Sequence, residues 1–164
     1  MKIVVMSDSH GDRRNVEKIL SKHDDAAMFI HLGDGEREMH ALLLSRPQLN
    51  GCLHYLQGNC DSGFLISGTR SELILTLPYG HRIFAAHGHS YQVKFGTGRI
   101  RQEAKANNAD IVLYGHTHVR ECSYDNGIYI INPGSVGCPR DGKPPCYAVI
   151  DISESGVMPN LLAL

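Results

Sequence analysis

Five short apolar runs in this chain each end in a polar cluster, and that repeated juncture restricts the fold more than any other feature. Residues 3–6 (IVVM) lead to Asp8-Ser9-His10, and the run MFIHL leads to Gly33-Asp34. Residues 53–57 (LHYLQ) lead to Gly58-Asn59-Cys60-Asp61, IFAA to His87-Gly88-His89, and IVLY to Gly115-His116-Thr117-His118. In α/β sheets, ligands bind in the crevice beyond the carboxyl ends of the strands. Five strands delivering Asp, His, Asn and His to one edge would build one convergent site. Taken singly, each motif is common in turns and loops; the weight lies in their order and position.

The segments between these runs set the topology. Asp12 caps a helix that places Val16, Ile19 and Leu20 on one face. Strands over 26–31 and 53–57 enclose a second helix over 36–44. This βαβαβ start predicts a largely parallel sheet. The second half predicts hairpins instead: 72–77 with 82–86 around PYGH, 121–124 with 128–131 around DNG, and 147–151 with 157–162 around SESG. Asp-Asn-Gly between apolar runs is the strongest short hairpin signal of the three. A helix over 99–107 and a strand over 111–114 complete the set. The expected fold is α/β, with mixed sheets packed face to face, helices outside, and one domain over residues 1–164.

Composition excludes several classes. A net charge of -1 gives no electrostatic footprint for nucleic acid or a membrane surface. No apolar run approaches the roughly 20 residues of a membrane-spanning helix. The opening MKIVVM turns polar too early for a secretory core of about 7–15 residues. Five cysteines, irregularly spaced and without a CxxC, predict reduced thiols and a cytoplasmic protein.

The donor types decide the chemistry. Carboxylates, an amide oxygen and neutral imidazoles suit divalent ions such as Mn²⁺, Fe²⁺ or Zn²⁺, with no thiolate needed. Asp8, His10, Asp34, Asn59, His87, His116 and His118 are too many ligands for one ion. With one shared carboxylate they fit two ions about 3.5–4 Å apart. His23, His40, His54 and His81 follow no motif and are expected at the surface or core edge, and His31 is expected to be structural. GCPRDGKP imitates a phosphate-binding loop, but Pro144 stands where Ser or Thr must hold Mg²⁺, and a strand follows where a helix should open.

The ordered set DSH, GD, GNCD, HGH and GHTH resembles the calcineurin-like metallophosphoesterase superfamily, in particular its small YfcE-type phosphodiesterases. NPGSVGCPR resembles a later segment of the same family. The resemblance implies a four-layer α/β/β/α sandwich of two mixed sheets flanked by helices. It also implies a first metal on Asp8, His10 and His118, a second on Asn59, His87 and His116, and Asp34 between them. Mn²⁺ is the first expectation, with Fe²⁺, Zn²⁺ and Ni²⁺ as alternatives. The implied reaction is hydrolysis of a small or nucleotide-like phosphodiester by a hydroxide bridging the two metals.

Two other functions are weighed against this one. A protein-binding scaffold like the metallophosphoesterase-like retromer subunit would have degraded ligands, whereas every ligand position here carries a competent donor. A phosphomonoesterase is disfavoured because relatives of that kind are larger and carry His where this chain has Cys60. A phosphate-loop cysteine phosphatase needs an Arg six residues after its nucleophile, and Cys60 has Ile66 there. Cys60, Asp61 and His89 are expected beside the substrate: Cys60 as a weak proton donor, Asp61 orienting a histidine or the water, and His89 meeting phosphate or assisting as an acid. A homo-oligomer built on exposed hairpin edges is left open.

Overall fold

A computed structural model of the chain describes residues 1–164. The elements run β1 (Lys2–Met6), α1 (Arg13–Lys22), β2 (Met28–His31), α2 (Glu36–Ser45), β3 (Leu53–Tyr55), β4 (Glu72–Thr76) and β5 (Arg82–Ala86). They continue with α3 (Gly98–Ala106), β6 (Ile111–Tyr114), β7 (Glu121–Asp125), β8 (Ile128–Asn132), β9 (Cys146–Ser153) and β10 (Gly156–Ala163). Two five-stranded sheets result, ordered β10-β9-β1-β2-β3 and β4-β5-β6-β8-β7. Both are mixed. In the first, β1, β2 and β3 are parallel while β9 and β10 run antiparallel. In the second, β5, β6 and β8 are parallel between antiparallel edge strands β4 and β7.

Strand periodicity distributes the apolar residues between two faces. Ile3 and Val5 of β1 meet Ile83, Ala85, Ile111 and Leu113 of the other sheet, forming the core between the sheets. Val4 and Met6 point the opposite way and pack under Val16, Ile19 and Leu20 of α1 and Met39 and Leu42 of α2. On the far side, Phe84, Val112 and Ile130 pack against Ile100 and Ala104 of α3. Helices, sheet, sheet and helix make the four expected layers.

The local signals mostly hold. Asp12 caps α1, its Oδ1 accepting from the Asn15 amide at 3.0 Å. Asn126 and Gly127 both take positive φ, 50° and 82°, the backbone of a type I′ hairpin turn between β7 and β8. The expected strand over 53–57 is shorter, because Leu56 pairs as an isolated bridge with Arg70 and the Gln57 amide donates to the Arg70 carbonyl. A 3₁₀ turn over Pro47–Gly51 was not foreseen. No helix is long and apolar enough to cross a membrane.

Candidate metal centre

The five polar clusters sit where the parallel strands end. Asp8 and His10 follow β1, Asp34 follows β2, and Asn59 follows β3; His87 follows β5, and His116 and His118 follow β6. Each sheet therefore sends its clusters to one edge, and the two edges meet. The backbone there is unusual. Of nine non-glycine residues with positive φ, five are Asp8 (54°), His10 (43°), Asp34 (58°), His116 (67°) and His118 (59°). Left-handed conformations cost roughly 1–2 kcal/mol each for such residues, and strain of this kind gathers at functional sites. Glycines permit the close approach: a Cβ on Gly58 would strike the Asp34 carboxylate and amide, and one on Gly115 the Ser7 hydroxyl.

The donor atoms converge. His118 Nε2 lies 3.2 Å from Asp8 Oδ1 and 3.2 Å from His10 Nε2. Asp34 Oδ2 stands between the two sets, 3.8 Å from His10 Nε2 and 3.5 Å from His87 Nε2. Asn59 Oδ1 is 3.1 Å from His87 Nε2. The His116 ring is 5.1 Å from that of His87, centre to centre. Asp8, His10 and His118 form one group able to hold a metal ion, Asp8, Asp34 and His87 a second, and His10, Asp34 and Cys60 a third.

Hydrogen bonds fix which face of each imidazole is offered. His118 Nδ1 donates to the Cys138 carbonyl at 2.6 Å, and His87 Nδ1 donates to the Leu32 carbonyl at 2.8 Å. In the neutral ring the proton then sits on Nδ1, leaving the Nε2 lone pair aimed inward, as a ligand needs. Asp8 Oδ2 accepts from Ser7 Oγ at 2.6 Å and from the His116 amide at 3.0 Å. Asp8 Oδ1, by contrast, is buried with no hydrogen-bond partner. A buried carboxylate oxygen without a donor is costly. Imidazole nitrogens and an orphaned anionic oxygen facing one another suit a divalent cation; without one, burial of His87 is outweighed by Asp34 and Asp8, which raise its pKa, so the ring itself takes up charge. Burial works against ionisation of Asp34, but His87 and the Cys60 amide outweigh it and hold the carboxyl well below its ordinary range.

Several positioning groups act through hydrogen bonds that their motifs do not reveal. Asp61 accepts from the amides of Asp34 (2.9 Å), Gly35 (3.1 Å), Glu36 (3.0 Å) and Gly58 (2.7 Å), and from Tyr55 Oη (2.6 Å). Its carboxylate thus serves as the N-terminal cap of α2, whose own N-cap is Gly35. None of its five hydrogen bonds reaches a histidine; they fix the Asp34 turn, the Gly58 turn and the start of α2. The 132–138 loop secures the other side. Asn132 Nδ2 donates to the Gly115 carbonyl at 3.0 Å, and Ser135 Oγ donates to the Asp8 carbonyl at 2.7 Å. Cys138 supplies the acceptor for His118.

His31 heads a buried relay. The Gly33 amide donates to His31 Nδ1 (3.2 Å), so Nε2 carries the proton and donates to Ser9 Oγ (2.9 Å). Ser9 Oγ in turn donates to Glu38 Oε1 (2.6 Å), which also accepts from the Gly11 amide (2.7 Å). The relay ties the Asp8–His10 turn to the Asp34 turn. Burial pushes the His31 imidazole down to about 4. The unfolded chain takes up that proton near pH 6.5 while the fold does not, so stability falls as pH drops from 6.5 toward 4. His116, also pushed down to about 4 by burial, the His87 charge and Lys94, adds to the same slope. A His31→Gln protein should lose less urea stability between pH 7 and pH 5 than the wild type. Equal losses would show that His31 does not contribute.

Cys60 and His89 lie at the rim. The Cys60 thiol is pushed up to about 11, chiefly by burial and then by Asp34, so it is protonated at neutral pH. His89 is exposed, its ring 5.4 Å from His87 and 6.0 Å from His116. Burial and the His87 charge lower its pKa, which disfavours the imidazolium an acid would need.

Comparison with known proteins agrees with this geometry. Residues 1–155 match the calcineurin-like phosphoesterase superfamily domain. The chain belongs to that superfamily. It is 29% identical over 155 residues to the probable metallophosphoesterase YsnB of Bacillus subtilis (strain 168), covering 94% of this chain and 86% of the relative. Phosphodiesterase YfcE of Escherichia coli (strain K12) is 30% identical over 171 residues, covering 92% and 88%. A solved structure of a predicted phosphoesterase from Streptococcus pneumoniae TIGR4 superposes with a TM-score of 0.82 at 30% identity, covering 99% of this chain and 88% of that one. Vps29 of Entamoeba histolytica, solved with Zn²⁺, superposes with a TM-score of 0.75 at 18% identity, covering 99% and 98%, and shares the fold. Family membership and these relatives support a metal-binding phosphoester hydrolase.

Proposed function

We propose that the protein is a phosphodiesterase for a small or nucleotide-like phosphodiester, working with two divalent cations, Mn²⁺ first among them. Asp8, His10 and His118 would hold one cation and Asn59, His87 and His116 the other, with Asp34 shared. The observation that carries this reading is the inward-facing pair of Nε2 atoms, on rings whose Nδ1 donates to a carbonyl, around the orphaned Asp8 Oδ1. Bound cations would lower the pKa of a water and neutralise phosphoryl oxygens. The chain's own contribution is placement: the His118, His87 and Asp8 contacts fix the donors before substrate arrives, which keeps reorganisation small. The Vps29 likeness does not favour a scaffold, because the donor set here is complete. We place the protein in the cytoplasm on its five free thiols, and self-association through strand edges stays a proposal.

The test is hydrolysis of a generic aryl phosphodiester and of the matching monoester by metal-stripped protein, with each divalent ion restored in turn. Metal-dependent turnover with the diester favoured is expected. No turnover with any ion would sink the proposal, and faster monoester cleavage would overturn the substrate class. A protonated thiol is a weak donor, so a Cys60→Ser protein should keep most of its activity. A loss of about 10²-fold or more, the scale of general acid catalysis, would contradict that view of Cys60.

A further inference from the structure

Two clefts, one lined by candidate ligands and the other against the loop that carries His116 and His118, carry opposite charge. One, of about 470 Å³, is lined by His10, Asp34, Glu36, Glu38, Cys60 and Asp61, with Arg37 as its one arginine. The other, of about 580 Å³, is lined by Val93, Lys94, Thr117, Val119, Arg120 and Arg140, together with Tyr114 and Glu121. It lies against the ligand loop: Thr117 falls between His116 and His118, and the Arg140 amide donates to the His118 carbonyl at 3.0 Å. Within it, Arg120 is already paired and Glu121 is hydrogen-bonded. Arg120 Nε donates to Asp141 at 2.6 Å and its Nη2 to the Pro144 carbonyl at 2.7 Å, while Glu121 accepts from the Tyr114 hydroxyl. Lys94 and Arg140 remain exposed, and neither has an ion-pair partner in the structure.

We propose that this second cleft holds an anionic group, a phosphate above all, on one arm of the substrate, between Lys94 and Arg140. The protein then prefers diesters whose arm bears a further negative group over diesters with neutral arms. Arginine and lysine are the side chains suited to phosphate, the first by paired hydrogen bonds and the second as a point charge. The opposite cleft repels such an arm, so the charge difference also fixes which way round the substrate lies. Val93 and Val119 give the arm's carbon chain an apolar wall. This inference rests on the phosphodiesterase reading.

The test compares kcat/KM for ethyl 4-nitrophenyl phosphate with that for its 2-phosphoethyl and 3-carboxypropyl counterparts. The 2-phosphoethyl ester should be favoured over the ethyl ester by about tenfold at low salt, with the ratio shrinking as salt screens the pair. In a Lys94→Gln/Arg140→Gln protein the ratio should fall to about one, and Lys94→Arg should preserve it. A gain confined to the phosphate arm assigns the cleft to phosphate, and an equal gain with the carboxylate assigns it to anions in general. A wild-type ratio near one, or one undiminished in the double variant, overturns the proposal. If no ester is cleaved, the phosphodiesterase reading fails and the cleft is read separately. Ethyl phosphate added to metal-stripped protein should shift the backbone amide resonances of Lys94, Thr117 and Arg140 but not those of the double variant. Absence of those shifts overturns the cleft.

Discussion

Replacing Asp34 by asparagine should abolish metal-dependent diester hydrolysis, a fall of about 10³-fold or more. Asp34 lies within reach of both donor sets, 3.8 Å from His10 Nε2 and 3.5 Å from His87 Nε2. Its other oxygen is held by the Cys60 amide at 2.7 Å. Asparagine keeps the size and that hydrogen bond, so the turn should survive. It loses the charge that two cations would share. Charge stabilisation by bound metal is worth several kcal/mol in the transition state, and each 1.36 kcal/mol is a factor of ten. Metal content should fall with activity, from two ions per chain toward one, while the far-ultraviolet circular dichroism stays as in the wild type. An Asp34→Asn protein holding two ions and hydrolysing within about tenfold of wild type would refute the shared-carboxylate assignment.

The candidate site was legible in the sequence because its proposed ligands are local to strand ends. An apolar run followed at once by Asp, His or Asn needs no tertiary knowledge to be noticed, and a parallel sheet then forces the run ends to one edge. The two-faced alternation in IVVM likewise foreshadows a sheet covered on both sides, with Ile3 and Val5 in one core and Val4 and Met6 in the other. The supporting groups had no such signature. Asp61, Glu38 and Ser135 act on loops far from them in sequence, and an acidic residue or serine that caps a distant turn looks like any other. The Asp61 motif was visible, but its partners were not: an acid next to a ligand suggested a histidine or water, and the structure gives it the start of α2. Backbone strain was also hidden. Asp, Asn and His tolerate positive φ better than most residues, yet only the folded turns show that Asp8, His10, Asp34, His116 and His118 adopt it.

Metal should stabilise the fold strongly, and one substitution should remove much of that benefit while stabilising the metal-free protein. The proposed ligands come from five loops between residues 8 and 118, so the unfolded chain cannot assemble them and cation binding would act almost wholly on the folded state. At a free concentration a hundredfold above Kd, one site contributes about 2.7 kcal/mol. For a chain of this size that corresponds to roughly 5–10 °C in Tm, to be read by calorimetry with and without chelator. Asp8→Asn should remove much of this rise. In the metal-free state the same variant should be more stable than wild type. Asparagine Oδ1 can keep the bonds from Ser7 and the His116 amide, and its Nδ2 then occupies the place of the orphaned oxygen, 3.2 Å from the His118 Nε2 lone pair. An unsatisfied buried anion is exchanged for a neutral donor that finds an acceptor. A metal-free Asp8→Asn protein less stable than metal-free wild type would mean that Asp8 Oδ1 is satisfied without a cation. A rise in Tm undiminished by the substitution would place the metal elsewhere. Loss of the metal-induced rise together with a gain in the metal-free state would identify the partner of Asp8 Oδ1 as an ion.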